Sequence, residues 1–134
     1  MAEAFVLDTS AVLALRSDEA GARRVEQILR LGKQGRAVVL LSFMTRMEIL
    51  YRVTASEGAD AARAALRLLD AAGVEWVSCE PEILDAAAAL KASGGLSVAD
   101  AWIAATASTR EAILVHKDPE LARARTVRQE RLHS

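Results

Sequence analysis

Phe5-Val6-Leu7-Asp8-Thr9-Ser10 sets three large apolar side chains directly against an acid and two hydroxyls. A short apolar run of this kind reads as a fully buried strand. Thr or Ser followed by Ala11, Val12, Leu13 and Leu15 reads as the opening of a helix. Asp8 therefore belongs where a buried strand ends and a helix begins. In an open parallel sheet, that carboxyl edge is where ligands bind. An acid there is either a local cap or the first member of a site.

Outward from this stretch, the same strand-then-helix unit recurs. Ser17-Asp18 is expected to cap a helix over 19–34, with Ala22, Val25, Ile28 and Leu29 as its apolar stripe. Ala37 to Leu41 reads as a second buried strand. It runs into Ser42, a cap for a helix from Phe43 to about Ala55. Phe43, Met47, Leu50 and Tyr51 recur there at helical spacing and are expected in the core. Glu57-Gly58 breaks the chain before a helix over about 60–72, which stops at Gly73. Val74 to Val77 is a third strand, nearer an edge. Pro81 suits a first helical position, and this helix runs to Ala92 with Ile83, Leu84, Ala87, Ala88 and Lys91 on one face. Leu96-Ser97-Val98-Ala99-Asp100 resembles a capping box and opens a helix through Trp102 and Thr106. Ala112 to Val115 is a fourth strand. It exits into His116-Lys117-Asp118-Pro119, where Asp118 reads as another N-cap. The remaining residues hold a short edge strand or a loose tail. Strand alternating with helix predicts an α/β fold. The expected form is a single domain over residues 1–134 whose mainly parallel sheet of four or five strands is flanked by helices.

Composition narrows the function classes. The 134 residues are 52% hydrophobic and 26% charged, with a formal net charge of −1. Coating nucleic acid without regard to sequence requires a far more basic surface. Aromatic residues are only 4%, so base stacking on the protein should be sparse. Cys79 has no second cysteine to pair with, and only His116 and His133 accompany it, too few ligands for a zinc site. No basic-then-apolar signal opens the chain, and no apolar run approaches the ~20 residues of a membrane span. The expected location is the cytoplasm, with no membrane partner.

Four acids share one kind of position. Asp8 ends strand one, Asp118 follows strand four, and Glu48 and Asp100 lie in the first two turns of helices. All four can point to the same sheet edge. Local capping accounts well for Asp118 and fairly for Asp100, partly for Asp8, and poorly for Glu48. For Glu48 the local alternative is an ion pair with Arg52, four residues on. Four gathered carboxylates disfavour one another's ionised forms, and a hard divalent cation such as Mg²⁺ or Mn²⁺ removes the conflict. Such an ion suits chemistry on a phosphodiester.

Taken together, Val6-Leu7-Asp8-Thr9-Ser10-Ala11, Ser42 to Leu50, Leu96 to Ala105 and Leu114-Val115-His116-Lys117-Asp118 resemble the PIN-domain nucleases, and among them the VapC-type toxins of toxin–antitoxin pairs. The resemblance covers nearly the whole chain. It implies an endoribonuclease dependent on Mg²⁺ or Mn²⁺, with Asp8, Glu48, Asp100 and Asp118 as the metal-holding, catalytic quartet. It further implies that Ser10 supports Asp8 or a water, with Thr9 as the adjacent alternative. The implied partners are RNA, a VapB-like antitoxin and a second copy of the chain in a homodimer. His116 departs from the pattern, standing where the family often has Thr or Ser. As a neutral ring it can hydrogen-bond a water or an acid, as a cation it would compete with metal, or it is a strand-end residue without a chemical role. Arg46, Lys91, Lys117 and the Arg23/Arg24 region are candidates for phosphate contacts. Rival readings are a PIN-type RNA-processing nuclease without a toxin role, an inactive interaction protein, and a receiver-like signalling domain with an acidic pocket.

Overall fold

The computed structural model describes residues 2–133. Strands β1 (Glu3–Leu7), β2 (Ala37–Ser42), β3 (Glu75–Val77), β4 (Ile113–His116) and β5 (Gln129–Arg131) form one sheet in the order β3-β2-β1-β4-β5. Every pairing is parallel, with Val6 opposite both Leu40 and Leu114. Helices α1 (Thr9–Arg16), α2 (Ala22–Lys33), α3 (Phe43–Glu57), α4 (Ala59–Ala71), α5 (Pro81–Ala92) and α6 (Val98–Thr109) connect the strands.

Alternation along the strands divides the core into two layers. Phe5, Leu7, Val39, Leu41 and Val115 face one side, packed with Val12, Val25, Ile28, Ile49 and Leu66 of α1 to α4. Val6, Leu40 and Leu114 face the other, against Ile83 of α5 and Ile103 of α6. Val6, Leu7, Leu41 and Leu114 are fully buried, each worth about 1.5–3 kcal/mol relative to an exposed side chain. Gly32 lets α2 lie close on β2, since a Cβ there would stand 2.7 Å from Val39 Cγ2.

This order settles one rival. A receiver-like sheet runs 2-1-3-4-5, whereas here the neighbours of β1 are β2 and β4. From β1 the chain proceeds outward through β2 to β3, then returns to the other side of β1 for β4. The crevice between the carboxyl ends of β1 and β4 is thus the switch point at which open α/β sheets bind ligands.

Three local expectations are corrected. Helix α2 begins at Ala22, not residue 19, and its N-cap is Gly21 with no side-chain cap. The chain turns through left-handed backbone at Asp18 (φ 50°) and Gly21 (φ 96°) first, so Ser17-Asp18 ends α1 rather than starting α2. Met47 and Tyr51 are 52% and 56% exposed. The buried row of α3 is Thr45, Ile49 and Val53. Asp118 opens no α-helix: its Oδ1 accepts the N–H of Glu120 at 2.9 Å, and only a 3-10 turn, Leu121–Arg123, follows. The tail does pair, as β5 at the sheet edge.

Candidate active site

A cavity of about 320 Å³ opens at the switch point, lined by Asp8, Thr9, Ser10, Glu48, Arg52, Asp100, Lys117, Asp118 and Pro119. The four acids singled out from the sequence thus come from four separate segments to one place. Two cations, Arg52 and Lys117, line it with them. With all four acids ionised, negative charge exceeds positive.

Asp8 is both cap and site member. It is 3% exposed and closes the N-terminus of α1, where its Oδ2 accepts the Ser10 N–H at 3.0 Å and the Ser10 hydroxyl. Ser10 Oγ in turn accepts the Lys117 N–H at 2.8 Å, which ties the exit of β4 to that of β1. Burial drives the Asp8 pKa above its usual range, the two Ser10 hydrogen bonds oppose that rise, and the charges of Glu48 and Asp118 add to it.

Glu48 is held by a different hydroxyl. Thr9, buried at the start of α1, donates to Glu48 Oε1 at 2.7 Å. Its oxygen lies 3.2 Å from Thr45 Oγ1 one turn earlier on α3. The local alternative, a Glu48–Arg52 pair, is not among the ion pairs of the described residues. Thr9, reached from β1, supplies the partner that the local helix argument assigned to Arg52.

Asp100 sits in the first turn of α6, where its N–H is capped by Ser97 Oγ at 3.1 Å. Only 8% exposed, it is pushed up to about 7. Burial is the largest cause, followed by the charge of Asp118, the charge of Asp8, a contact with the Asp118 carboxyl and the charge of Glu48. One carboxylate oxygen each from Asp100, Asp118 and Glu120 lie within 4.8 Å of one another.

This donor set fits a hard divalent ion. All the acids offer oxygen, and neither sulfur nor imidazole lines the cavity. Opposed ligands of a Mg²⁺-sized ion stand roughly 4.2 Å apart, twice the bond length. The Asp100, Asp118 and Glu120 oxygens already lie within 4.8 Å of one another, close enough for one ion to draw them in. The acid pushed up to about 7 marks where a positive charge is most wanted.

The remaining expected residues separate. Lys117 lines the cavity, but its ammonium reaches Ala20 O at 3.0 Å and Glu19 at 3.3 Å. Lys91 does not line it. Its Nζ donates to Leu96 O at 2.8 Å and closes the α5–α6 loop. Arg46 also lies outside, 5.7 Å from the Trp76 ring. Arg24 is committed to Glu130, at 2.7 and 2.9 Å, and Arg23 is exposed. His116 is fully buried and contacts the Asp118 N–H and Gln129. Sequence reasoning missed Glu120 and gave Arg52 only a local role. Reading Asp118-Pro119-Glu120 as a turn rather than a helix start would have brought Glu120 back toward Asp118.

Comparison with known proteins adds the following. The family model described as PIN domain matches residues 5–127. Among curated proteins, no sequence matches the chain. Several solved structures are similar. VapBC2 from Rickettsia felis, bound to a DNA fragment from its promoter, gives a TM-score of 0.78 at 17% identity, over 97% of this chain and 99% of that one. VapBC-1 from nontypeable Haemophilus influenzae gives 0.75 at 21% identity, over 96% and 97%. VapC20 from Mycobacterium tuberculosis, a sarcin-ricin loop cleaving toxin, gives 0.69 at 18% identity, over 90% and 94%. At these identities the likeness concerns the fold.

Proposed function

Because the chain belongs to the PIN domain family, we propose that it is a Mg²⁺- or Mn²⁺-dependent endoribonuclease that hydrolyses RNA phosphodiester bonds with water. We infer further that it acts as the toxin of a toxin–antitoxin pair in the cytoplasm. The observation that carries the reading is the meeting of Asp8, Glu48, Asp100 and Asp118 in one cavity at the switch point. These four would hold the ion, Asp8 and Asp100 by the main contacts, Asp118 completing the set and Glu48 orienting water. When bound, the ion supplies Lewis acidity toward a phosphoryl oxygen and a more acidic water.

The chain's own residues do the positioning. Ser10 fixes one Asp8 oxygen and leaves the other free. Thr9 fixes one Glu48 oxygen and leaves its second for a water. Arg52, on the cavity wall, would meet a phosphate, whereas the Lys117 ammonium would do so only on leaving Glu19 and the Ala20 carbonyl. Arg46 and Lys91 lie outside it and would contact RNA only away from the scissile bond.

Similar structures are VapBC pairs, which supports a VapB-like antitoxin as partner. A second copy of the chain is the other partner proposed. The exposed Met47, Tyr51, Leu84 and Val98 supply apolar surface for a homodimer.

Purified protein incubated with RNA and Mn²⁺ is expected to cut it, EDTA to stop it, and Asp8→Asn to abolish it while folding normally. Equal cleavage by wild type and Asp8→Asn would place the chemistry elsewhere. Sequencing RNA ends after induced expression distinguishes a toxin's target from a processing substrate.

A further inference from the structure

His116 ends β4 with no exposed surface, two residues before Asp118, and it does not line the cavity. Its Nδ1 accepts the Asp118 N–H at 3.2 Å. Its Nε2 lies 2.8 Å from Gln129 Oε1 on β5. Gln129 Nε2 then donates to the Ala124 carbonyl at 2.7 Å.

Both ends of this hydrogen-bond chain are groups that cannot change role. A backbone carbonyl only accepts, so Gln129 turns its NH₂ to Ala124 and its oxygen to the ring. A backbone N–H only donates, so the ring presents a lone pair at Nδ1. The Ala124 end calls for a proton on Nε2 and the Asp118 end for a lone pair on Nδ1, so the two together select the Nε2–H tautomer. The partner on one nitrogen thereby sets what the other can do. Beyond the ring, Asp118 Oδ1 is held by the Glu120 N–H, so the peptide and carboxylate of Asp118 are fixed in one turn. The imidazole spans from Asp118 to the edge strand, a reach that a Ser or Thr hydroxyl at this position lacks.

We propose that Gln129 and His116 are positioning residues for Asp118, which makes β5 part of the active-site scaffold. Gln129 selects the ring tautomer, and the ring anchors the Asp118 peptide so that its carboxylate faces the other acids. This rests on the reading of Asp118 as a metal-holding acid.

The test uses the full chain. In the metal-free protein, at a pH where the His116 ring carries a single proton, ¹⁵N NMR should find that proton on Nε2. The Asp118 amide should be protected from exchange, and Gln129→Met should remove that protection. Mn²⁺ titration should then show Gln129→Met binding about ten- to a hundredfold more weakly, with the cooperative melt retained. His116→Leu should lose affinity comparably. His116→Asn, whose carboxamide oxygen can accept the same N–H, should recover most of it. A singly protonated ring with its proton on Nδ1 overturns the proposal. So does a folded Gln129→Met that protects the Asp118 amide and binds Mn²⁺ as wild type does. If wild-type protein binds no Mn²⁺, the nuclease reading fails, while the ring spectrum and amide exchange still decide the Gln129–His116 link.

Discussion

The two halves of the acidic cavity are built on opposite terms. On the β1–α1–α3 side, each acid is met by a hydroxyl: Ser10 on Asp8, Thr9 on Glu48, with Thr45 behind Thr9. On the α6–β4 side, Asp100, Asp118 and Glu120 face one another. Both Asp8 and Asp100 are buried and both are raised. For Asp8 the Ser10 hydrogen bonds oppose the rise, while for Asp100 every cause pushes the same way, up to about 7. One half is preorganised for carboxylates at fixed places. The other is left short of positive charge, which a proton or a cation supplies.

Beside the abolition expected of Asp8→Asn, the largest effect should come from neutralising the unopposed half. Asp100→Asn is expected to lower cleavage by more than about a hundredfold, beyond the loss usual for an indirect support of a metal site. In EDTA at pH 8 it should melt higher than wild type, because a buried repelled charge has gone. A lower metal-free melting temperature for this variant would erase the contrast between the halves.

Metal should act on the same imbalance. Mn²⁺ at a hundredfold excess over its Kd is expected to stabilise the fold by about 2.7 kcal/mol, roughly 10 °C in Tm for a chain of this length. No shift in a thermal melt would contradict a preformed site.

The pH response follows in size. Asp100 is raised in the folded state from 3.8 to about 7, so the unfolded chain ionises first. Below about 3.8 this group costs the fold nothing. The penalty grows as pH climbs toward about 7 and stays constant above it. In EDTA, denaturant midpoints should therefore fall across that window through this group, and Asp100→Asn should flatten that part of the fall. Mn²⁺ affinity should rise over the same range, as the ion displaces a proton. A wild-type profile identical to that of Asp100→Asn would count against the assignment.

The smallest changes belong to the hydroxyls that hold the other half. Thr9→Val removes the donor to Glu48 while keeping the shape, and is expected to lower kcat about tenfold with the melt little changed. Retention of full kcat would mean that Glu48 needs no such support.

Much of this arrangement was legible in the sequence because it is local. The run Phe5 to Leu7 and the run Ala37 to Leu41 announce buried strands. Ser42 and Ser97 announce helix starts, and both do cap their helices. An acid just past a strand can be placed at the carboxyl edge without further information. What stayed hidden depends on partners distant in the chain. The local sequence offers Glu48 only Arg52 as a neighbouring partner, yet its donor is Thr9, brought over from the exit of β1. Met47 and Tyr51 were expected inside from spacing alone, but α3 turns Thr45, Ile49 and Val53 inward, and only the docking of α3 decides which stripe is covered. The role of His116 could not be read because its partners, Gln129 and Ala124, meet it only once β5 joins the sheet.

The central claim is that side chains from both ends of the chain converge on one cation. The most direct measurement is a crystal structure grown with Mn²⁺ and phased on its anomalous signal. The account predicts a peak inside the cavity, bonded to oxygens of Asp8 and Asp100 at roughly 2.1–2.2 Å, with Asp118 and Glu48 completing the shell directly or through water. An ordered, empty cavity at saturating Mn²⁺, or a peak bound only at other surface carboxylates, would contradict it.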